Sequence, residues 1–203
     1  MIILPHFFSW LIFEKMQRII PITIDEFEKI TPSWGAITFE NIRITFDDVV
    51  QLDFKTVHIR YSLKKIFNTI LSLDCTGEAG TIESVKKDQG FFGITTLTIQ
   101  SFNTHLEMRR WQDVIIEWMK TDGNFGTMQL EGVITRDKTI DCSAHFLIHP
   151  EFISRLSLPT DRSIHNEKND VTVDVTIDGM LMHPDISITS DFFQINLESK
   201  ENT

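Results

Sequence analysis

Apolar residues alternate with polar residues along most of this chain, and that period of two constrains its fold more than any other feature. The alternation starts near Gly35 and continues, with interruptions, to Leu197. Its longest run covers residues 171–177, which read VTVDVTI. Successive side chains of a β-strand point to opposite faces, so each run predicts a strand with one apolar face. The chain is therefore predicted to be mainly β.

The alternation changes phase twice in its first part. Apolar residues are odd-numbered up to Phe39 and even-numbered from Ile42. A second slip separates Phe54 from Val57. A slip of one residue moves every later side chain to the other face unless the backbone compensates for it. We therefore predict a β-bulge at Glu40–Asn41 and a similar irregularity in the next strand.

Short turns separate the predicted strands. Residues 126–148 read as a hairpin that turns at Arg136–Lys138, and Pro184 separates the last two long runs. Gly77 and Gly80 mark a turn or kink. Strands joined by short turns pair antiparallel. Strands and long helices do not alternate in the way that a doubly wound sheet requires.

Two stretches have the apolar spacing of amphipathic helices. The first is residues 5–20, and the second is residues 105–120. The apolar stripe of the second stretch consists of Met108, Trp111, Ile115, Trp118 and Met119. A short helix is also predicted within residues 150–158. The predicted organisation is an N-terminal helix and lead-in over 1–34, then a β domain over 35–203 with a helix near 105–120.

Charge and aromatic content narrow the classes of partner. The net charge is -10, so phosphate backbones and anionic lipid headgroups repel the chain, and no nucleic-acid partner is predicted. Sixteen phenylalanines stand against one tyrosine. Buried phenylalanine needs no hydrogen-bond partner, so this composition favours large dry surfaces.

Motifs for catalysis are absent from the sequence. It contains no nucleotide-binding glycine pattern and no nucleophile elbow. Cys142 and His145 lie three residues apart in a strand, which predicts opposite faces. Asp141, His145, His149 and His183 are residue types that bind metals, but two of these histidines precede prolines, which is typical of solvated strand ends. We predict no enzyme activity, no metal site and no cofactor.

Cys75 and Cys142 are the two cysteines of the chain, and both fall in alternating runs. Buried free thiols are the simplest interpretation, because free cysteine behaves as a small apolar residue. One disulfide between them is the alternative if the compartment is oxidising.

Three segments together resemble the AsmA-like family, which includes TamB-type and GspN-type proteins. The first is 35–80, where the family's strand–short-helix pattern is matched at Val57, Ile59, Tyr61, Ser62, Leu63, Ile66 and Phe67. The second is 125–152, which is similar to a late hairpin followed by a helix. The third is 171–188, which matches the closing strand pair at Gly179, Leu181, Pro184 and Ile186.

The resemblance implies a non-catalytic protein of the bacterial cell envelope that faces the periplasm, is associated with the inner membrane, and acts in lipid transport or in outer-membrane or secretion-system assembly. It also implies a curved antiparallel sheet with an apolar concave face. The fold prediction is thus mainly β in the α+β class, with that sheet and two amphipathic helices packed on it or capping it.

The predicted partners are lipid acyl chains or an envelope protein, with residues 5–20 as a point of membrane association. The residues predicted to line the apolar groove are Ile42, Ile44, Val57, Ile59, Val173, Val175 and Ile177. Three alternatives stay open: a docking module that pairs through a strand edge, a soluble hydrolase or sugar-binding β-sandwich, and a closed sandwich with a filled core.

Overall fold

A computed structural model of the chain describes residues 22–46, 50–62, 70–85, 95–110, 112–153, 155, 170–181, 183–190 and 194–197. These residues form twelve strands and a four-residue helix, α1 (Pro150–Ile153). The strands are β1 (Ile22–Glu26), β2 (Lys29–Ser33), β3 (Ala36–Phe46), β4 (Val50–Tyr61), β5 (Ile70–Ser84), β6 (Thr96–Arg109), β7 (Asp113–Gly123), β8 (Gly126–Ile134), β9 (Thr139–Ile148), β10 (Val171–Met180), β11 (His183–Ser190) and β12 (Gln194–Leu197).

All twelve strands belong to one antiparallel sheet. From β3 to β11 each strand pairs with the strand that precedes it and the strand that follows it in the sequence, and β12 pairs with β11. The short strands β1 and β2 both pair with β3, one along each half of its length. The sheet is therefore a long meander in which neighbours in sequence are neighbours in space.

The predicted α+β class with two amphipathic helices is wrong, because the described residues are almost entirely antiparallel sheet. The first predicted helix, 5–20, lies outside the described residues. Of the helix predicted at 150–158, residues 150–153 form α1 and Arg155 lies in a turn, while the other residues lie outside the described part of the chain. Among the described residues, no helix has the length and apolar character needed to span a bilayer.

The helix predicted over 105–120 is also wrong, because this stretch is the β6–β7 hairpin. Arg110, in its turn, has a positive φ of 52°. The residues of the apparent helical stripe divide between the two faces of the sheet: Met108 is fully buried, whereas Trp118 is 39% exposed. The run Val114–Ile116 favours a strand, because branching at Cβ restricts rotamers in a helix and packs well on a pleated surface.

Both predicted changes of phase are present, because Phe39 and Ile42 of β3 are buried and so are Phe54 and Val57 of β4. The bulge predicted at Glu40–Asn41 is wrong: Asn41 has a left-handed backbone with φ of 50°, and the register of β3 with β4 is the same on either side of it. A further change of phase, which the sequence did not predict, occurs in β5 at Ala79, with φ of 51°. The left-handed residues of β3 and β5 thus keep apolar side chains on one face without altering the pairing.

Two glycines of β5, Gly77 and Gly80, make room for two phenylalanine rings. A Cβ on Gly77 would lie 2.0 Å from the Phe102 ring, and one on Gly80 would lie 2.3 Å from the Phe54 ring. The two rings are 4.9 Å apart at an interplanar angle of 59°. The predicted kink at these glycines is therefore a packing site, where the absence of side chains lets the rings lie against the backbone.

Two clusters of buried side chains lie on the apolar face of the sheet, which we call the inner face; the opposite, polar face is the outer face. The first cluster extends from β3 to β8 and includes Leu71, Leu73, Met108 and Val114. The second cluster consists of Ile153, Val171, Val173 and Ile188. Beside the second cluster, the rings of Phe125 and Phe152 are 6.3 Å apart and close that end of the sheet.

Candidate functional site

Cross-strand pairing makes the inner face a continuous apolar surface. Ile37 pairs with Ile59, which in turn pairs with Cys75, and all three point inward. Farther along the sheet, Ala144 pairs with Leu130 on one side and with Val175 on the other. Because neighbouring strands lie about 4.8 Å apart, rows of this kind place apolar atoms in contact across the whole meander.

The seven predicted groove residues all lie on this inner face, in two separate groups. Ile42 and Val57 are buried in the first cluster, and Ile44 and Ile59 pack against it. The β10 residues Val173, Val175 and Ile177 lie six strands away from β4. Val173 is buried in the second cluster, and Val175 packs against that cluster. At the usual strand spacing, the two groups are about 29 Å apart along the sheet.

Burial of the inner face is uneven, and one margin is only partly buried. This open margin lies where β3 and β5 end and where β4 and β6 begin. It consists of Ile44, Phe46, Val50, Leu52, Ile82 and Leu97. At the opposite end of the same strands Leu71, Leu73 and Met108 are at most 2% exposed. Apolar surface left accessible to water costs about 25 cal/mol per Å², so the margin gains free energy from any apolar group that covers it.

One polar group is buried in the inner face without a partner. Thr121 is 1% exposed, and its hydroxyl finds no hydrogen-bond partner in the described part of the chain. Its cross-strand neighbours are the inward residues Phe102 and Met128. An unpaired buried hydroxyl costs on the order of 1–3 kcal/mol, which a ligand carbonyl would relieve. Sequence analysis missed Thr121; the signal available was a threonine at an inward position between Met119 and Gly123.

The outer face carries charged depressions rather than apolar ones. A depression of 690 Å³ lies around the kink and is lined by Glu26, Glu28, Arg43, Asp53 and Lys55, among others. A second, of 470 Å³, crosses β7 to β10, and its lining includes the outward residues Trp118, Gln129, His145 and Asp174 together with inward-facing residues such as Leu130 and Val175. Neither depression contains a nucleophile paired with a base among its lining residues.

The cysteines are free and buried, on inward positions of β5 and β9. Burial, with a smaller contribution from the nearby Asp74 carboxylate, raises the pKa of the Cys75 thiol to about 12. Burial also raises the pKa of Cys142. Cys142 faces inward, whereas His145 faces outward and contacts Asp174, so the predicted opposite orientation is confirmed.

Asp141, His145, His149 and His183 do not come together at one point in the structure. Asp141 and His145 lie four residues apart on β9, a separation of about 13 Å in a strand. His149 and His183 lie near opposite ends of the sheet, His149 beyond the end of β9 and His183 at the start of β11. His149 and His183 thus lie at strand ends, as the prolines that follow them predict, whereas His145 lies within β9.

Comparison with protein-family models, with curated proteins and with solved structures finds no match to this chain. The resemblance to the AsmA-like family stays a prediction from the three segments.

Proposed function

We propose that this protein is a non-catalytic component of the bacterial cell envelope that holds lipid acyl chains against the inner face of its sheet. The observation that carries the proposal is the open margin, where six apolar side chains on four strands are only partly buried. This margin continues directly into the buried part of the inner face. An acyl chain needs no hydrogen bonds, so it can lie along such a surface without leaving polar groups unpaired.

Thr121 supports a lipid rather than a plain hydrocarbon as the ligand. Its hydroxyl is the one buried side-chain oxygen without a partner among the described residues. Each acyl chain of a lipid ends in one ester or acid carbonyl. A hydroxyl without a partner among mainly apolar side chains suits a ligand of that kind.

Site-specific photo-crosslinking in bacterial cells tests the proposal. A photoreactive residue at Ile44 or Val175, both inward, is expected to yield lipid adducts detectable by mass spectrometry of the purified protein. The matched controls are Thr45 and Thr176, the next residues on the same strands, which point outward. Lipid adducts at inward and outward positions alike would show non-specific labelling and contradict the proposal.

The Thr121→Val variant provides a second measurement with little change in side-chain shape. Loss of one neutral hydrogen bond of about 1 kcal/mol is expected to weaken binding of a fluorescent fatty acid about fivefold. Unchanged affinity would remove the assigned role of the hydroxyl, whereas absence of any binding by the wild type would overturn the lipid proposal.

A second candidate function is docking through a strand edge, and β12 favours it. Beyond β12, no further strand pairs with the sheet in the described part of the chain. The opposite edge is protected, because β2 contains Pro32 and β1 and β2 are short and charged. A protein adduct at Gln194 on β12, with lipid-free positions 44 and 175, would favour this function over lipid binding.

A further inference from the structure

A histidine and two glutamates meet on the outer face, where β6 and β7 pair. His105 and Glu107 are two residues apart on β6 and therefore point to the same side. Glu117 reaches them from β7, and its Oε2 atom is 3.5 Å from His105 Nε2. One donor atom from each of the three residues lies within 4.8 Å of the others.

A register irregularity in β7 brings Glu117 to this point. His105 pairs with Trp118, but the next residue of β6, Leu106, pairs with Ile116. Glu117 is thus the extra residue of a bulge, a device that commonly re-aims a side chain. The Trp118 ring stacks on the His105 ring at 6.4 Å and 19°, which limits the movement of the imidazole.

The orientation of His105 directs a lone pair toward the glutamates. Its Nδ1 is 2.5 Å from Asp74 Oδ1 on β5. An ionised carboxylate only accepts hydrogen bonds, so Nδ1 carries the proton and, in the neutral imidazole, Nε2 is unprotonated. In that tautomer the Nε2 lone pair is directed toward Glu117 Oε2, so a cation between the two atoms would be bound by both. A carboxylate behind the second nitrogen is the support that metal-binding histidines usually have.

We propose that His105, Glu107 and Glu117 bind a Zn²⁺ ion, with Asp74 orienting the histidine. One imidazole nitrogen and two carboxylates suit zinc, whereas calcium and magnesium prefer oxygen ligands alone. Two ligand atoms of a tetrahedral zinc ion with bonds of 2.0–2.1 Å are about 3.4 Å apart, close to the separation of His105 Nε2 and Glu117 Oε2. Glu117 is 44% exposed on its side chain, so the fourth position faces water.

Two neighbours compete with the ion. Arg109 Nη2 is 3.2 Å from Glu107 Oε2, and Ser72 Oγ is 3.3 Å from His105 Nε2. The Arg109 side chain is 53% exposed and can move into solvent, and a serine hydroxyl is a weak competitor. Zinc binding is therefore expected to displace these contacts without rearranging the sheet.

Titration of the metal-free full chain with zinc chloride in a calorimeter tests the site. One equivalent is expected to bind, and His105→Gln and Glu117→Gln are expected to weaken binding at least 100-fold. Asp74→Asn, which removes only the orienting carboxylate, is expected to weaken it about 10-fold to 100-fold. The matched control is His145→Gln: His145 also contacts an aspartate, Asp174, at 2.7 Å on the outer face, but it faces Gln129 on β8 instead of a glutamate.

Cobalt supplies a readout that is independent of affinity. Co²⁺ in the same site is expected to give the intense visible absorption of a tetrahedral ion, and Glu117→Gln is expected to abolish it. Glu117 is exposed, so this variant keeps the fold, which circular dichroism checks. The assignment is overturned if the wild type binds no zinc, or if His145→Gln weakens binding as much as His105→Gln does. This outcome is independent of lipid binding at the inner face.

Discussion

Single residues decide how the apolar face stays on one side of the sheet. Asn41 and Ala79 adopt left-handed backbone conformations, which cost free energy in any residue with a Cβ atom. Asparagine tolerates this conformation better than most residues do. For Ala79 the cost is offset where the next residue, Gly80, lets the Phe54 ring lie against the backbone.

Cys75 carries a pH dependence that belongs to a single side chain. Its pKa is about 12 in the folded protein and 9.0 ordinarily, so the folded state disfavours the thiolate. The thiol's contribution is fully present below pH 9 and is lost as the pH rises toward 12. The full difference of about 3 pKa units corresponds to about 4 kcal/mol.

We expect the free energy of unfolding of the wild type to fall by about 1 kcal/mol more than that of Cys75→Ala between pH 8 and pH 10. Urea unfolding of both proteins at each pH measures this difference, and the variant serves as the control for lysine and tyrosine titration. Parallel pH profiles would contradict the assigned burial of the thiol.

At the scale of the element, the strand with the clearest alternation is the one that was best predicted. In β10, Val171 and Val173 are buried and Asp174, Thr176 and Asp178 are exposed, as the period of two requires. The helix predicted over 105–120 is wrong because apolar residues on both faces of a hairpin have the same spacing as the apolar stripe of a helix.

The same error hid the zinc site, because His105 and Glu107 would lie on nearly opposite sides of a helix and share a side only in a strand. Glu117 depends on a bulge, and Thr121 depends on which neighbours surround it. The sequence offers an inward position for Thr121 but not the absence of a hydrogen-bond partner, and it does not show the bulge at Glu117, so neither role could be assigned from the sequence.

The faces of β10 are tested by two aspartate substitutions. Val173→Asp is expected to lower the free energy of unfolding by more than 3 kcal/mol, because it buries an unpaired carboxylate. Thr176→Asp, on the exposed side of the same strand, is expected to lower it by less than about 1 kcal/mol. Chemical denaturation of both variants gives the comparison, and similar losses would show that the faces are assigned wrongly.

The whole molecule is a row of strands, and nearly all contacts between strands join strands that follow one another in the sequence. Such an arrangement resembles a repeat protein, whose stability is a sum of local terms and interfaces between neighbours. The two buried clusters share no residue, and the first draws its members mainly from β3 to β8, whereas the second is built from α1, β10 and β11. The sheet is therefore expected to open in parts rather than all at once.

Hydrogen exchange of two core variants tests this division. Val173→Ala weakens the second cluster and is expected to speed amide exchange at least tenfold in β9 to β11 while β3 to β6 keep their protection. Leu73→Ala, at a position only 2% exposed in the first cluster, is expected to cost about 2–5 kcal/mol and to speed exchange in β3 to β6. If either substitution accelerates exchange equally across all strands, the sheet unfolds as one cooperative unit, and the inner face then has to open as a whole to admit a ligand.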